Sequence, residues 1–392
     1  MIISLKVRNF YSIKNEQVLN LSVGKQAPDN FGYSNSVIDR VSKLGMLVGA
    51  NASGKTNILK AFAFLQSLIL KQENTAFKNL YKKFFDSEEI TSFEIVFEKD
   101  NTRYEYNISL SRDKILSEIL KQTKDATIKT GTATVFSREF SGELAKYLIK
   151  SNLKGFPTEI DIVQRSDISI FSIGVILNIP LLVELTNYWR NVSTNVPSIG
   201  WNFDSNGIVD LIALDNDKKL KGNVEEILRK YDLGLEEVFI EKTEISPNQF
   251  SLKSSKEKHI FKGKIYESDM ADASRGTQKL IGHLRLIVSA LQKGTPVIID
   301  ELDAYLHPRI VTELVSLFLD EEKNVNNAQL LFSSHSHSVM NMLDKYQIFI
   351  AEKNDDGATE LSRLDDFGSD VRNGENFYNR YISGYYGGVP KL

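Results

Sequence analysis

Eight residues near the start of the chain, "GANASGKT", have the types and spacing of a phosphate-binding loop. Gly49 and Gly54 allow the backbone to curl, so that successive N–H groups point at phosphate oxygens. Lys55 would reach the β- and γ-phosphates, and the Thr56 hydroxyl would bind Mg²⁺. A glycine turn that matches by chance is the alternative, but a predicted strand and a predicted helix flank the loop. The residues predicted to contact a nucleotide here are Gly49, Asn51, Ala52, Ser53, Gly54, Lys55, Thr56 and Asn57.

Two adjacent carboxylates, Asp300 and Glu301, follow an apolar run far along the chain in "TPVIIDELDAYLHP". The run predicts a buried strand, and ligands bind at the carboxyl ends of strands in open α/β sheets. Asp300 fits a Mg²⁺ ligand beside Thr56, and Glu301 fits the general base that polarises an attacking water. The alternative is a pair of acids at the start of a helix. Together with the loop, the pair predicts Mg²⁺-dependent hydrolysis of ATP, with Lys55 and Glu301 as catalytic residues.

The elements that must position these groups follow from hydrophobic periodicity. "KLGMLVG" predicts a buried strand before the loop, and "TNILKAFAFLQSLIL" predicts a helix after it. "SFEIVFEKDNTRYEYNISLS" predicts an antiparallel hairpin. Beyond residue 270, helices and buried strands alternate, as in parallel sheets with crossover helices. In the middle, "GELAKYLIK" and "NVEEILRKYD" suggest amphipathic helices.

This pattern predicts an α/β protein with N-terminal antiparallel strands, a mostly parallel core sheet and an inserted helical or mixed lobe. We place the first half of the core at residues 1–112, the inserted lobe at 113–268 and the second half at 269–392. No sustained heptad pattern crosses the insertion, which argues against a coiled coil.

Composition excludes several classes of protein. The chain has 392 residues and a formal net charge of −3, so charge alone does not indicate a nucleic-acid binder. Cysteine is absent, which rules out disulfides and thiolate metal sites. The apolar stretch "IFSIGVILNIPLLVEL" is broken by Asn178 and Pro180, and we interpret it as a buried helix. We therefore expect a soluble, cytoplasmic protein with no membrane partner.

Three further segments resemble motifs of ABC-type ATPases. "ASRGTQ" resembles their signature motif, which implies that Ser274 and Gly276 bind the γ-phosphate held by another subunit. An ordinary N-cap turn is the alternative for this segment. "LLFSSHSHSV" resembles their switch-histidine segment, which implies that His335 contacts the γ-phosphate; a metal pair of His335 and His337 is the less favoured interpretation. The glutamine that joins Mg²⁺ in that family is assigned to Gln164.

Both ends of the chain are similar to the AAA/ABC-hybrid ATPases of the abortive-infection and OLD-like group, through "SLKVRNFYSIKNEQVLNL", the segments above and "YNRYISGYYGGVPKL". The resemblance implies an ATP- and Mg²⁺-dependent switch in bacterial antiphage defence. It also implies a homodimer or a higher even-numbered homo-oligomer, and a separate effector such as a Toprim-type nuclease. His307 stands where many relatives of the transporter branch carry an aspartate, although "LHP" is usual in the OLD-like branch, and Tyr385 stands where the resemblance implies an arginine.

Other functions stay open at this point. A DNA-repair type ATPase that clamps DNA directly would carry a Lys/Arg stripe, so a nucleic-acid partner is not excluded. A self-sufficient nuclease would need a metal site, for which Glu352, Asp355 and Asp356 are candidates, but acids in a hairpin turn explain these residues better. The hypothesis of a transporter subunit is weakened because no membrane-coupling feature can be recognised in the sequence.

Overall fold

The structure is a computed structural model of the 392-residue chain. The residues it describes are 1–24, 27–28, 32–35, 38–71, 81–85, 87–111, 114–124, 131–197, 208–231, 234–246, 249–372 and 374–390.

The first layer is a seven-stranded antiparallel sheet in the order β11-β10-β9-β8-β7-β1-β2. Buried and half-exposed residues alternate along β8, as expected for a strand with one face on the core. The predicted hairpin is confirmed as β7 and β8, paired from Thr91 with Leu110 to Lys99 with Thr102. The strands are β1 (Ile2–Arg8), β2 (Gln17–Asn20), β7 (Thr91–Lys99), β8 (Thr102–Leu110), β9 (Ile115–Lys124), β10 (Ala133–Ser141) and β11 (Lys146–Ser151).

The second layer is a six-stranded sheet in the order β12-β16-β17-β6-β18-β19. The pairs from β12 to β18 are parallel, and only β19 runs antiparallel, as the helix and strand alternation predicts. All residues of β6, β16 and β17 are buried, so these strands read as continuous apolar runs. The strands are β6 (Leu44–Val48), β12 (Ser193–Thr194), β16 (Pro296–Ile299), β17 (Gln329–Ser333), β18 (Ile348–Lys353) and β19 (Thr359–Arg363).

Helices cover both faces of the parallel sheet. On one face, Leu47, Ile298 and Leu331 join a core with α1 (Lys55–Leu70) and the antiparallel sheet. On the other face, their neighbours Met46, Ile299 and Phe332 join a second core with α6 (Arg275–Lys293) and α7 (Pro308–Leu319). The mixed α/β fold predicted from the sequence is therefore confirmed, and α6 is the first helix of the alternation predicted beyond residue 270.

The apolar stretch before β12 forms two helices, which corrects the prediction of one. α2 (Ile170–Ile176) and α3 (Pro180–Arg190) meet at a bend of 115°. Asn178 has a φ of +53°, and Pro180 is the first residue of α3, so the helix must break between them. Among the described residues, no single helix is long and apolar enough to cross a membrane; only this bent pair meets that length and composition together.

The middle of the chain holds a third, three-stranded antiparallel sheet in the order β13-β14-β15. The helix predicted at "NVEEILRKYD" is confirmed by α5, whereas "GELAKYLIK" forms a turn and β11 because its alternating residues pair with β10. A small sheet in the order β3-β5-β4 lies near the start of the chain. The remaining elements are β3 (Ser22–Val23), β4 (Tyr33–Asn35), β5 (Arg40–Ser42), α4 (Ile208–Asn216), α5 (Lys218–Tyr231), β13 (Leu235–Ser246), β14 (Gln249–Phe261), β15 (Lys264–Asp269) and α8 (Phe377–Ile382).

The proposed division of the chain stays a prediction. Its first boundary, at 112 and 113, lies outside the described residues, and strands β8 and β9 on either side of it pair in one sheet. Its second boundary, at 268 and 269, falls at the end of β15, directly before the segment that leads into α6.

Candidate functional site

At two positions of the loop after β6, the backbone conformation and the close neighbouring atoms leave room only for glycine. Gly49 has a φ of +153°, and a Cβ there would lie 2.2 Å from the Ala351 carbonyl oxygen. Gly54 has a φ of +109°, and a Cβ there would lie 2.0 Å from the Thr359 hydroxyl oxygen. Larger residues at either position would collide with the β18–β19 hairpin. The loop therefore curls between β6 and the first turn of α1, as the phosphate-loop pattern predicts.

A hydrogen-bonded frame holds this loop from behind. The Thr359 hydroxyl donates to the Ser53 carbonyl at 2.9 Å and lies 2.7 Å from the Ser12 hydroxyl. Asn57 donates from its side-chain amide to the same Ser12 hydroxyl at 2.7 Å. The frame joins segments from both ends of the chain, and nothing in the local sequence signals Ser12 or Thr359. Asn57, predicted to contact the nucleotide, serves at least partly to fix the loop.

Lys55 is the buried cation of the loop. Its ammonium donates to the carbonyls of Gly49 at 2.8 Å and Ala50 at 3.0 Å, and the residue is 6% exposed. Burial lowers the pKa of Lys55, and the carboxylates of Asp300, Glu301 and Asp303 act in the opposite direction. In the sheet only β17 lies between β6 and β16, and the three strands are parallel, so the fold brings the loop after β6 and the acids after β16 to the same end of the sheet.

The acids follow β16 without starting a helix. The Ser333 hydroxyl at the end of neighbouring β17 donates to an Asp300 carboxylate oxygen and accepts from the Glu301 backbone N–H at 2.8 Å. Asn195, at the end of β12, pairs its side-chain amide with the backbone N–H and carbonyl of Asp300, at 2.8 and 2.9 Å. Glu301 is exposed and has a φ of +54°, a conformation that costs free energy and is common at functional sites. The next helix, α7, is capped by His307, so the helix-start interpretation of the acids is wrong.

Asp303 connects the acidic loop to the predicted switch histidine. Both of its carboxylate oxygens accept from the backbone N–H of His335, at 3.0 and 3.1 Å. His335 is exposed at the carboxyl end of β17, beside the end of β16 that carries Asp300. Asp303, Ser333 and Asn195 are not predictable from the sequence, since single polar residues after strands carry no distinctive pattern.

Gln164 does not reach this cleft, in contrast to the sequence assignment. It lies in a short 3-10 helix, where its side-chain oxygen accepts from the Tyr147 N–H at 2.7 Å and its amide donates to the Tyr147 carbonyl at 3.3 Å. Tyr147 belongs to β11, the edge strand of the antiparallel sheet. The side chain that approaches Asp300 from the strand beside β16 is Asn195 instead.

Ser274 caps the first turn of α6 and is exposed. Its hydroxyl accepts from the Thr277 N–H at 3.0 Å, so the N-cap interpretation of this segment holds at least within one protomer. A Cβ on Gly276 would lie 2.9 Å from the Tyr305 carbonyl oxygen, so a larger residue there would press on the loop after Glu301. Arg275 donates to the Tyr305 hydroxyl at 3.3 Å, which joins this turn to the same loop.

The chemistry of the donor set fits a magnesium nucleotide. The Thr56 hydroxyl and the Asp300 carboxylate are oxygen ligands of the kind that Mg²⁺ prefers, and too few to hold it without phosphate oxygens. Within the part of the chain that the structure describes, no group of three or more His, Asp or Glu residues could hold a metal alone. In addition, the Ser53 hydroxyl in the loop is buried and has no hydrogen-bond partner among the described residues.

The family model "AAA domain, putative AbiEii toxin, Type IV TA system" matches residues 46–341, more than half of the chain. The chain belongs to this family. The match begins in β6 and includes the loop, Ser274, Asp300, Glu301 and His335.

Solved structures similar to this AAA domain protein include an SmcHead bound to the C-winged helix domain of ScpA, with 16% identity and a TM-score of 0.47. That comparison covers 92% of this chain and 96% of the other. An SMC head domain from Thermotoga maritima matches with 15% identity and a TM-score of 0.42, covering 92% and 98%. No curated protein matches the sequence.

Proposed function

We propose that this protein is a Mg²⁺-dependent ATPase that acts as a switch, with ATP bound between two protomers. The observation that carries the proposal is the convergence of a glycine-lined loop and buried Lys55 with the acids that follow β16. A cradle of backbone N–H groups, one cation and several carboxylates suits a triphosphate with its metal. Membership in an AAA domain family supports the same activity.

In the proposed mechanism, the loop and the N-terminus of α1 hold the phosphates, and Lys55 neutralises the β- and γ-phosphate oxygens. Thr56 and Asp300 would hold Mg²⁺, which supplies charge neutralisation at the phosphates when it is bound. Glu301 accepts a proton from the attacking water, and Ser333 fixes the Glu301 backbone N–H and the Asp300 carboxylate. Asp303 positions the backbone of His335, whose side chain would contact the γ-phosphate.

The second protomer would complete the cleft. Ser274 and Arg275 are exposed at the start of a 19-residue helix, where backbone N–H groups can face an anion of another subunit. ATP that contacts both protomers binds the closed pair better than the open one, so binding closes the pair and hydrolysis opens it.

At the level of the cell, we propose a cytoplasmic switch of an abortive-infection type antiphage system that controls a separate effector, such as a nuclease. The description of the matching family, which refers to a toxin of a toxin–antitoxin system, supports a role of this kind. Two of the three residues suggested for a self-sufficient nuclease have structural partners: Asp356 pairs with Lys14 at 3.0 Å in the β18–β19 turn, and Glu352 accepts from the Gly388 N–H at 3.2 Å.

Glu301→Gln tests the proposal. The variant should bind ATP as tightly as the unaltered protein, hydrolyse it about 10²–10⁴-fold more slowly, and accumulate as a closed dimer. Phosphate release, nucleotide titration and light scattering measure the three properties. Glu313→Gln, an exposed acid on α7, is the matched control and should behave as the unaltered protein. Normal hydrolysis by Glu301→Gln would remove Glu301 as the base, and a monomer in saturating ATP would contradict the shared cleft.

A further inference from the structure

A polar cleft of about 600 Å³ lies at the amino-terminal ends of the parallel strands, opposite the ends that carry the acids. Thr295 directly precedes β16, and Asn326 precedes β17, whereas Asp300 follows β16, so the cleft and the proposed ATP site occupy opposite ends of the same strands. The β7–β8 turn and the ends of α3 and α6 complete its walls. Its volume falls within the range of small-molecule sites, roughly 300–1,000 Å³.

Two buried hydroxyls on residues that line this cleft have no hydrogen-bond partner among the described residues. They belong to Tyr188, which is 9% exposed, and Thr295, which is 7% exposed. A buried polar group without a partner costs about 1–3 kcal/mol, and native structures rarely leave one. Burial raises the pKa of Tyr188, so its hydroxyl stays protonated and can donate. Two such groups lining one cleft point to a ligand that supplies the missing bonds.

The charges around the cleft disfavour a phosphate group. α3 and α6 both end at the cleft, and the carboxyl end of a helix carries partial negative charge. Most charged side chains of the lining are already paired: Lys99 contacts Asp100 and Glu184, and Glu98 accepts from Arg103 at 2.9 Å. The exposed Lys293 and the α-amino group of Met1 are the remaining basic groups of the lining, and burial lowers the pKa of that amine to about 5, so it is uncharged near neutral pH. Carboxamides are the other prominent groups, from Asn101, Asn187, Asn191 and Asn326.

We propose that this cleft binds an uncharged, hydroxyl-rich small molecule of nucleoside or disaccharide size. Hydroxyl groups both donate and accept, so they can accept from Tyr188 and Thr295 and donate to carboxamide oxygens. Nucleosides and sugars share this chemistry, and the experiment distinguishes them. The site is separate from the proposed ATP site, and its occupation does not require ATP hydrolysis.

The test uses ligand-observed NMR on the full chain without ATP. The probes are adenosine, guanosine, cytidine and uridine in one arm, and trehalose and sucrose in the other. Thr295→Val and Tyr188→Phe should each weaken binding of the recognised probe about tenfold, as expected for loss of one well-formed hydrogen bond in a buried site. Neither variant removes a bond within the protein, so both should fold with unchanged or slightly greater stability. Thr312→Val, on α7, is the control for the threonine substitution.

Two further measurements test where the probe binds and whether the cleft prefers an uncharged ligand. Binding of the recognised probe should persist in Lys55→Ala, because Lys55 lies in the ATP site and not in this cleft. A nucleoside bound in the ATP site would instead bind more weakly to this variant. Adenosine monophosphate should bind more weakly than adenosine. The proposal is overturned if no probe binds at millimolar concentration, if binding survives both hydroxyl deletions, or if the monophosphate binds as tightly as the nucleoside.

Discussion

Two polar clusters of the molecule differ in how completely their groups are paired. In the antiparallel sheet, Glu118 and Arg138 are fully buried and form an ion pair. Glu118 also accepts from the Tyr106 hydroxyl and from the Ile170 N–H, while Arg138 donates to the carbonyls of Val163, Arg165 and Ile168. In the phosphate loop, Lys55 donates only to two carbonyls of its own loop, and the Ser53 hydroxyl has no partner, among the described residues.

The difference separates a structural cluster from a binding cluster. The Glu118–Arg138 cluster attaches the segment 163–170 to β9 and β10, and its donors and acceptors are used within the protein. In the phosphate loop, the Lys55 ammonium and the Ser53 hydroxyl can still bind an anion from outside the protein. A change in the first cluster should therefore reduce stability, and a change in the second should reduce ligand binding.

Arg138→Met should give the largest effect, a loss of about 3–5 kcal/mol in the free energy of unfolding, because it leaves the Glu118 carboxylate buried without its cation. Urea denaturation measures the loss. The double variant Glu118→Gln/Arg138→Met should recover part of it, since the uncompensated charge is gone. A loss below about 1 kcal/mol in the single variant would show that the cluster is not structural in this sense.

Lys55→Ala should have the opposite profile. ATP binding should weaken by about 10- to 100-fold, as expected for loss of charge-assisted hydrogen bonds worth roughly 1.5–3 kcal/mol. The free energy of unfolding should change little, because the ammonium is already penalised by burial, which lowers its pKa. Nucleotide titration and urea denaturation of one preparation compare the two effects. A stability loss as large as that of Arg138→Met would erase the distinction between the clusters.

The functional residues at the ends of strands are predictable from the sequence, whereas the residues that hold them in place are not. The loop from Gly49 to Thr56 is a contiguous motif, and Asp300 and Glu301 directly follow an apolar strand. Both can be recognised from residue types and their order along the chain. Ser12, Asn195 and Thr359 act through contacts between segments that are 105 to 347 residues apart, and each is a common residue in an ordinary context.

Two errors have the same physical origin. Gln164 matched a residue type and a position in the chain, but its amide is committed to the backbone of β11. The segment "GELAKYLIK" has apolar residues at spacings compatible with a helix, yet pairing with β10 decides its structure as a strand. In both cases a tertiary partner outweighed the local signal.

The smallest expected effect tests whether the frame behind the loop belongs with the structural or the binding cluster. Thr359 and Thr91 are both buried, and each donates its hydroxyl to one backbone carbonyl, of Ser53 at 2.9 Å and of Asn9 at 2.7 Å. Thr91→Val should cost about 1 kcal/mol in urea denaturation, because it leaves one buried carbonyl without that donor, and Thr359→Val should cost at least as much, because it also removes the contact with the Ser12 hydroxyl. Only Thr359→Val should also weaken ATP binding by a few fold, since Ser53 lies in the loop and Asn9 does not. Equal ATP affinities in the two variants would mean that the loop keeps its shape without Thr359, and that the frame is structural alone.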